Sequence, residues 1–214
     1  MKALLARANR FMDEPLDLGQ RLLMLAAAAC LVVTFFLPLW NLTMFAPQYP
    51  DGLRLDIYDY ALRGGNHGQD LREINVLNHY IGMRDLTEED FTEFKWMPFV
   101  VGGIALLILR AVVHGTVRAL VDAGMVFFYF CLFSMWSFAY KLYSYGHDLA
   151  PTAAVKVEPF MPPVFGYARI ANFEVYSYPR GATYVMGVAL LLLGVALVMA
   201  WREARHAEHT AVAA

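Results

Sequence analysis

The sequence predicts an all-α membrane protein: a four-transmembrane-helix bundle with a small α+β periplasmic cap formed by two outer loops. Three observations carry that expectation. Hydrophobic residues make up 59% of the 214 residues, while Asp, Glu, Lys and Arg together reach only 17%; soluble domains manage with about 45–50% apolar residues. The apolar residues fall into four separate runs, each near the ~20 residues that a helix needs to cross a hydrocarbon core of ~30 Å. Two long polar stretches, one after the first run and one after the third, are too extended to be simple connectors.

Residues 1–21 form a cytoplasmic N-terminal segment. Within it Asp13-Glu14-Pro15 reads as a helix start, with acids near the positive end of the dipole and proline in the first turn. The first span, 22–40, carries no charge. It runs on through Phe35-Phe36-Leu37-Pro38-Leu39-Trp40 without a small-residue cleavage site, which argues against a signal peptide. Cleavage before Cys30 would leave an apolar tail beginning at Leu31, which argues against a lipoprotein. The second span, 96–113, is interrupted only by Arg110, close enough to its end to snorkel. After a cytoplasmic connection, 114–118, the third span, 119–140, has Asp122 in its first turn. The fourth, 183–201, is followed by a cytoplasmic tail, 202–214.

Orientation follows from the bases. Lys2, Arg7, Arg10, Arg21, Arg110, Arg118, Arg202 and Arg205 all lie in short segments beside span ends, whereas the two long loops dilute theirs. The positive-inside rule therefore puts both termini on the cytoplasmic side and the two long loops on the outer side. The first loop, 41–95, holds ten acids against five bases. In it Pro50-Asp51-Gly52 reads as a turn, and Leu53, Leu55 and Ile57 alternate with Arg54, Asp56 and Tyr58 as a half-buried strand. Arg63-Gly64-Gly65-Asn66-His67-Gly68 reads as a mobile turn. Asp70-Leu71-Arg72-Glu73 resembles a capping box, and Leu71, Ile74, Leu77 and Ile81 follow at helical spacing up to Gly82. A second short helix is expected from Thr87 into Trp96. The second loop, 141–182, is aromatic and β-like, with strands expected at 153–157 and 172–178 on either side of Pro162-Pro163.

The chemistry on offer is sparse. Gly-x-Ser-x-Gly, Walker-type and His-Glu-x-x-His motifs are absent, so no catalytic residue is assigned. Cys30 and Cys131 fall inside spans and form no Cys-x-x-Cys pair. Haem would need histidines at matching depth in facing spans, and the spans hold none. The most suggestive pattern is His79 with Met83, four residues apart in Asn78-His79-Tyr80-Ile81-Gly82-Met83. Imidazole and thioether are the ligand types suited to copper, and His67 and His147 are weaker additional ligands. The alternative is a solvated histidine beside a packing methionine. Asp85, Glu88, Glu89, Asp90 and Glu93 form an acidic patch able to dock a basic partner, or simply a solvated helix face. Negative net charge disfavours nucleic acid.

At Asn78-His79-Tyr80-Ile81-Gly82-Met83, and again at Pro162-Pro163-Val164-Phe165-Gly166 with Ile170-Ala171-Asn172-Phe173, the chain resembles four-span bacterial membrane proteins associated with gene clusters for nitrous oxide reductase and its copper maturation. That resemblance implies an accessory role: copper delivery, or support of electron flow to a periplasmic redox protein. The residues alone also admit a non-catalytic structural subunit of a larger membrane complex, surrounded by lipid and other subunits.

Overall fold

The computed structural model describes residues 2–170 and 172–213. The chain divides into two compact units: Met1–Val33, Phe99–Cys131 and Val185–Ala214 make a helical unit, and Thr34–Pro98 with Leu132–Tyr184 make a sheet-bearing one. Helices are α1 (Lys2–Asp13), α2 (Leu18–Thr34), α3 (Gln69–Tyr80), α4 (Glu93–His114), α5 (Val117–His147) and α6 (Gly181–Ala213); strands are β1 (Trp40–Ala46), β2 (Tyr49–Ile57), β3 (Leu62–Gly64), β4 (Gly166–Ile170) and β5 (Phe173–Pro179).

In the helical unit, Met24, Ala27, Ala28 and Leu31 of α2 are buried, as are Val101, Ile104, Ala105 and Ile108 of α4, and Leu120, Ala123 and Phe127 of α5. From α6 the buried residues are Ala189, Leu193, Ala196 and Ala200. The i, i+3, i+4 spacing gives each helix one inward stripe, and its many alanines let backbones approach closely, as in membrane helices. Leu106, Val113, Tyr129 and Leu191 point outward and are equally apolar. Three helices are long and apolar enough to cross a membrane: Glu93–His114, Val117–His147 and Gly181–His206. The chain is thus a mostly helical, membrane-type protein with a five-stranded antiparallel sheet.

The first apolar run differs from expectation at both ends. Asp13-Glu14-Pro15 ends α1 instead of starting a helix, and Pro15 pairs in an isolated bridge with Thr116. The start of α2 is a reciprocal cap: Gln20 N–H donates to Asp17 Oδ1 at 2.7 Å, and Asp17 N–H to Gln20 Oε1 at 3.1 Å. The helix stops at Thr34, so it has 17 residues and does not continue to Trp40. Pro38 lacks an N–H to continue it. The Pro38 carbonyl accepts from Ala182 N–H, Leu39 N–H donates to Ile57 O, and Trp40 is already in β1.

The sheet order is β3-β2-β1-β5-β4, every neighbouring pair antiparallel. Its centre is the β1–β5 ladder, which pairs Thr43 with Tyr176 and Met44 with Val175 and so joins the two loops. One face packs on α3: Leu53, Leu55, Leu62 and Phe173 form a single core with Ile74, Leu77 and Ile81. The inward set of β5, Phe173, Val175 and Ser177, is the one its alternation predicts.

Other local expectations give way. Residues 63 and 64 of the expected mobile turn belong to β3, and residues 66–68 are a short 3-10 turn. The cap of α3 is Gly68 at φ +90° with no side-chain bond. Asp70, 4% exposed, instead turns inward, accepting from Arg54 N–H at 2.9 Å and Asn66 Nδ2 at 3.0 Å, while Glu73 accepts from the Tyr49 hydroxyl. Closing that bond raises the Tyr49 phenol above its ordinary pKa. A single 3-10 turn, Glu88–Asp90, precedes α4 where a helix from Thr87 was expected. Residues 153–157 form no strand: Val155 N–H and Ala150 N–H are spent on Tyr80 O and Gly82 O, the carbonyls at the end of α3. Ala171, within one of the motifs above, lies outside the described residues.

Candidate functional site

The His79–Met83 pair sits where α3 ends. Helical spacing would place both on one face only if the helix ran past Gly82, and it does not. Gly82 takes φ +84°; Met83 N–H closes back on Asn78 O at 2.8 Å and Gly82 N–H on His79 O at 3.1 Å. This is the glycine-dependent stop that uses up the last carbonyls of a helix. It leaves His79 exposed and turns Met83 toward the apolar core. The two still line one open cleft, together with Asp85, Asp90 and Asp148.

His67 and His147 are not brought to this cleft. His67 is exposed in the 3-10 turn with φ +57°. His147 lies at the end of α5, stacked on Tyr143 at 3.8 Å with Nδ1 3.0 Å from the Tyr143 carbonyl. Among the described residues, no group of three or more His, Cys, Asp or Glu side chains is placed to hold a metal ion.

The acidic patch divides into two kinds of residue. Glu88 accepts from Leu62 N–H at 3.2 Å and so ties the turn to β3. Asp90 accepts from the Tyr145 hydroxyl at 3.1 Å, and its carbonyl accepts from Lys141 Nζ at 2.7 Å. Glu93 accepts from the Ser137 hydroxyl at 2.7 Å and lies 3.8 Å from Lys141. These three therefore hold the sheet-bearing unit together. Asp85 and Glu89 are exposed, and they are the part of the patch open to a partner. Ser137, Lys141 and Tyr145 were missed by sequence reasoning, yet carried a signal: polar groups every four residues on one face of an apolar helix. Beside them Arg84 reaches Asp148 at 3.4 Å and lies 5.0 Å above the Tyr145 ring.

Two further features had no sequence assignment. On the outer face of the sheet, Asn41 donates to Asp56 Oδ1 and Leu55 O and accepts from Thr43. An open cleft lined by Asn41, Thr43, Phe45, Tyr176, Tyr178 and Arg180 lies over that network. In the loop between β2 and β3, Asp59 is 2% exposed, and neither carboxylate oxygen has a partner among the described residues. Burial pushes its pKa up to about 6. No family model matches the chain, and no curated protein matches it.

Proposed function

We propose that the protein is a four-span accessory protein of a bacterial inner membrane, with both termini cytoplasmic. Its sheet-bearing unit would act in the periplasm as a docking module for other subunits of a membrane complex or for a periplasmic redox protein. The observation that supports this best is the β1–β5 ladder: two loops far apart in sequence are spent on one folded unit, which flexible connectors would not need. The 17-residue α2 is the fourth span in this reading; at ~1.5 Å per residue it covers about 26 Å, and the exposed Phe36 beyond its end extends the apolar length. Asp85 and Glu89 supply the charge for a basic partner. Purification from native membranes in mild detergent should retain a stable partner, and Asp85→Lys with Glu89→Lys should lose it without unfolding the chain. A lone wild-type monomer would count against the reading.

The cleft shared by His79 and Met83 favours one further reading, transient Cu(I) binding at the same surface, in keeping with the resemblance to nitrous oxide reductase accessory proteins. Imidazole and thioether are two ligand types suited to copper, and a site with only these two would hold Cu(I) weakly and release it. Anaerobic Cu(I) titration should find one equivalent bound, lost in a His79→Ala, Met83→Ala variant; equal binding by both would remove copper from the account.

A further inference from the structure

The open cleft on the outer face of the sheet has a volume of about 720 Å³, within the ~300–1,000 Å³ of ligand pockets. Its wall comes from β1, from the end of β5 and from the first turn of α6. Arg180 is the single charged residue among those that line it; it is exposed, and its guanidinium has no partner among the described residues. Tyr184 N–H donates to the Arg180 carbonyl at 3.3 Å, so the two side chains are one helical turn apart. The Tyr178 and Tyr184 hydroxyls likewise have no hydrogen-bond partner among the described residues. The backbone at the start of α6 does not add to this donor set. Arg180 N–H is spent on Leu39 O at 2.8 Å and Ala182 N–H on Pro38 O at 3.0 Å, and the Thr183 hydroxyl donates to Leu39 O.

The β1 side of the cleft is the reverse. Asn41 gives its amide protons to Leu55 O and Asp56 Oδ1, and Thr43 gives its hydroxyl proton to Asn41 Oδ1. What these two residues have left is lone pairs. A free guanidinium with hydroxyl donors suits a phosphate, which can accept from several donors at once, and acceptors opposite suit hydroxyls. Location supplies the source. From Gly181 onward α6 is one of the helices long and apolar enough to cross a membrane, and Tyr184 in its first turn stands where interfacial tyrosines meet lipid headgroups. We propose that this cleft holds the headgroup of an anionic glycerophospholipid, phosphatidylglycerol, with its phosphate on Arg180 and Tyr184 and its glycerol hydroxyls toward Thr43 and Asn41. A choline headgroup carries the same phosphate but adds a cation, which Arg180 repels and for which the wall has no acid. The inference goes beyond the docking role: it needs α6 as a span, but neither the sidedness of the membrane nor the Asp85 and Glu89 surface.

The test is an equilibrium titration by thermophoresis of the full chain in a neutral maltoside detergent, with dioleoyl phosphatidylglycerol and, separately, dioleoyl phosphatidylcholine. The wild type should bind phosphatidylglycerol saturably and about tenfold tighter than phosphatidylcholine, the scale of one charge-assisted hydrogen bond. Arg180→Gln should erase that preference, and Tyr184→Phe should weaken phosphatidylglycerol binding several-fold. Neither removed group bonds another described residue, so both variants should keep the wild-type melting temperature; if Arg180→Gln lowers it, Tyr184→Phe decides. Equal affinity for the two lipids in the wild type, a preference that Arg180→Gln leaves intact, or full phosphatidylglycerol affinity in Tyr184→Phe would overturn the proposal. Inorganic phosphate in large excess should not displace the lipid; displacement would make this a site for a soluble anion and overturn the lipid assignment as well.

Discussion

Trp40 and Ser177 are 137 residues apart in sequence, and the Trp40 indole Nε1 donates to Ser177 Oγ at 2.7 Å in the buried centre of the sheet. The same hydroxyl donates to the Val164 carbonyl at 2.9 Å. One serine therefore ties the start of β1, β5 and the segment before β4 together. Ser177→Ala leaves a buried indole N–H without an acceptor, which costs about 1–3 kcal/mol. Chemical denaturation followed by tryptophan fluorescence should show a lower midpoint with an unchanged slope.

Asp59 predicts how stability depends on pH. Its carboxyl titrates at about 6 in the fold against 3.8 for the free group, raised chiefly by burial. The folded state holds the proton more tightly, so stability is greatest below about pH 4, falls as pH rises toward 6, and is flat above. A shift of about two units corresponds to about 3 kcal/mol. Asp59→Asn should therefore be more stable than wild type at pH 8 by up to about that amount. Thermal unfolding at pH 8 and pH 4 checks it, and the two proteins should converge at the lower pH.

Glycines at the two ends of α3 should respond differently. At Gly82, with φ +84°, an added Cβ would lie 2.9 Å from the Ala150 carbonyl oxygen and from Ala153 Cβ. At Gly68, with φ +90°, it would meet nothing within 4 Å. Gly68→Ala should cost only the left-handed backbone, about 1 kcal/mol, whereas Gly82→Ala should cost at least twice that and loosen residues 150–155. Amide hydrogen exchange at Val155 would report the difference.

The acidic residues should separate by role. Asp90→Asn and Glu93→Gln weaken the links to Tyr145, Ser137 and Lys141 and should lower the melting temperature. Asp85→Asn and Glu89→Gln should leave it unchanged while weakening capture of a basic partner, an effect that fades with salt as exposed charges are screened.

How far the sequence was legible depended on where each residue's partners lie. The helix α3 was readable because Leu71, Ile74, Leu77 and Ile81 carry their period locally, and β5 because Phe173, Val175 and Ser177 alternate with polar or tyrosine neighbours. Strand β1 was hidden: Trp40, Leu42 and Met44 look like the continuation of an apolar span, and its β5 partner lies more than 130 residues away. Residues 153–157 alternate like a strand, but their backbone is committed to covering the end of α3. The same helix end changes the geometry of the His79–Met83 pair, since four-residue spacing across Gly82 does not keep the two on one helix face, although both line one cleft. The buried carboxyl of Asp59 depends on three-dimensional burial, which no local pattern encodes.

In the proposed function the two loops fold as one sheet, and they do so outside the cytoplasm. Thr43 and Tyr176 are direct cross-strand partners in the β1–β5 ladder, and antiparallel partners sit about 4.5–5.5 Å apart between Cα atoms, within disulfide range. The most direct measurement is disulfide formation in a Thr43→Cys, Tyr176→Cys chain whose Cys30 and Cys131 are replaced by serine, expressed in bacterial membranes without added oxidant. The account predicts a spontaneous intramolecular bridge. A bridge that forms only after the cytoplasm is oxidised would contradict the periplasmic placement, and no bridge under any oxidant would contradict the sheet.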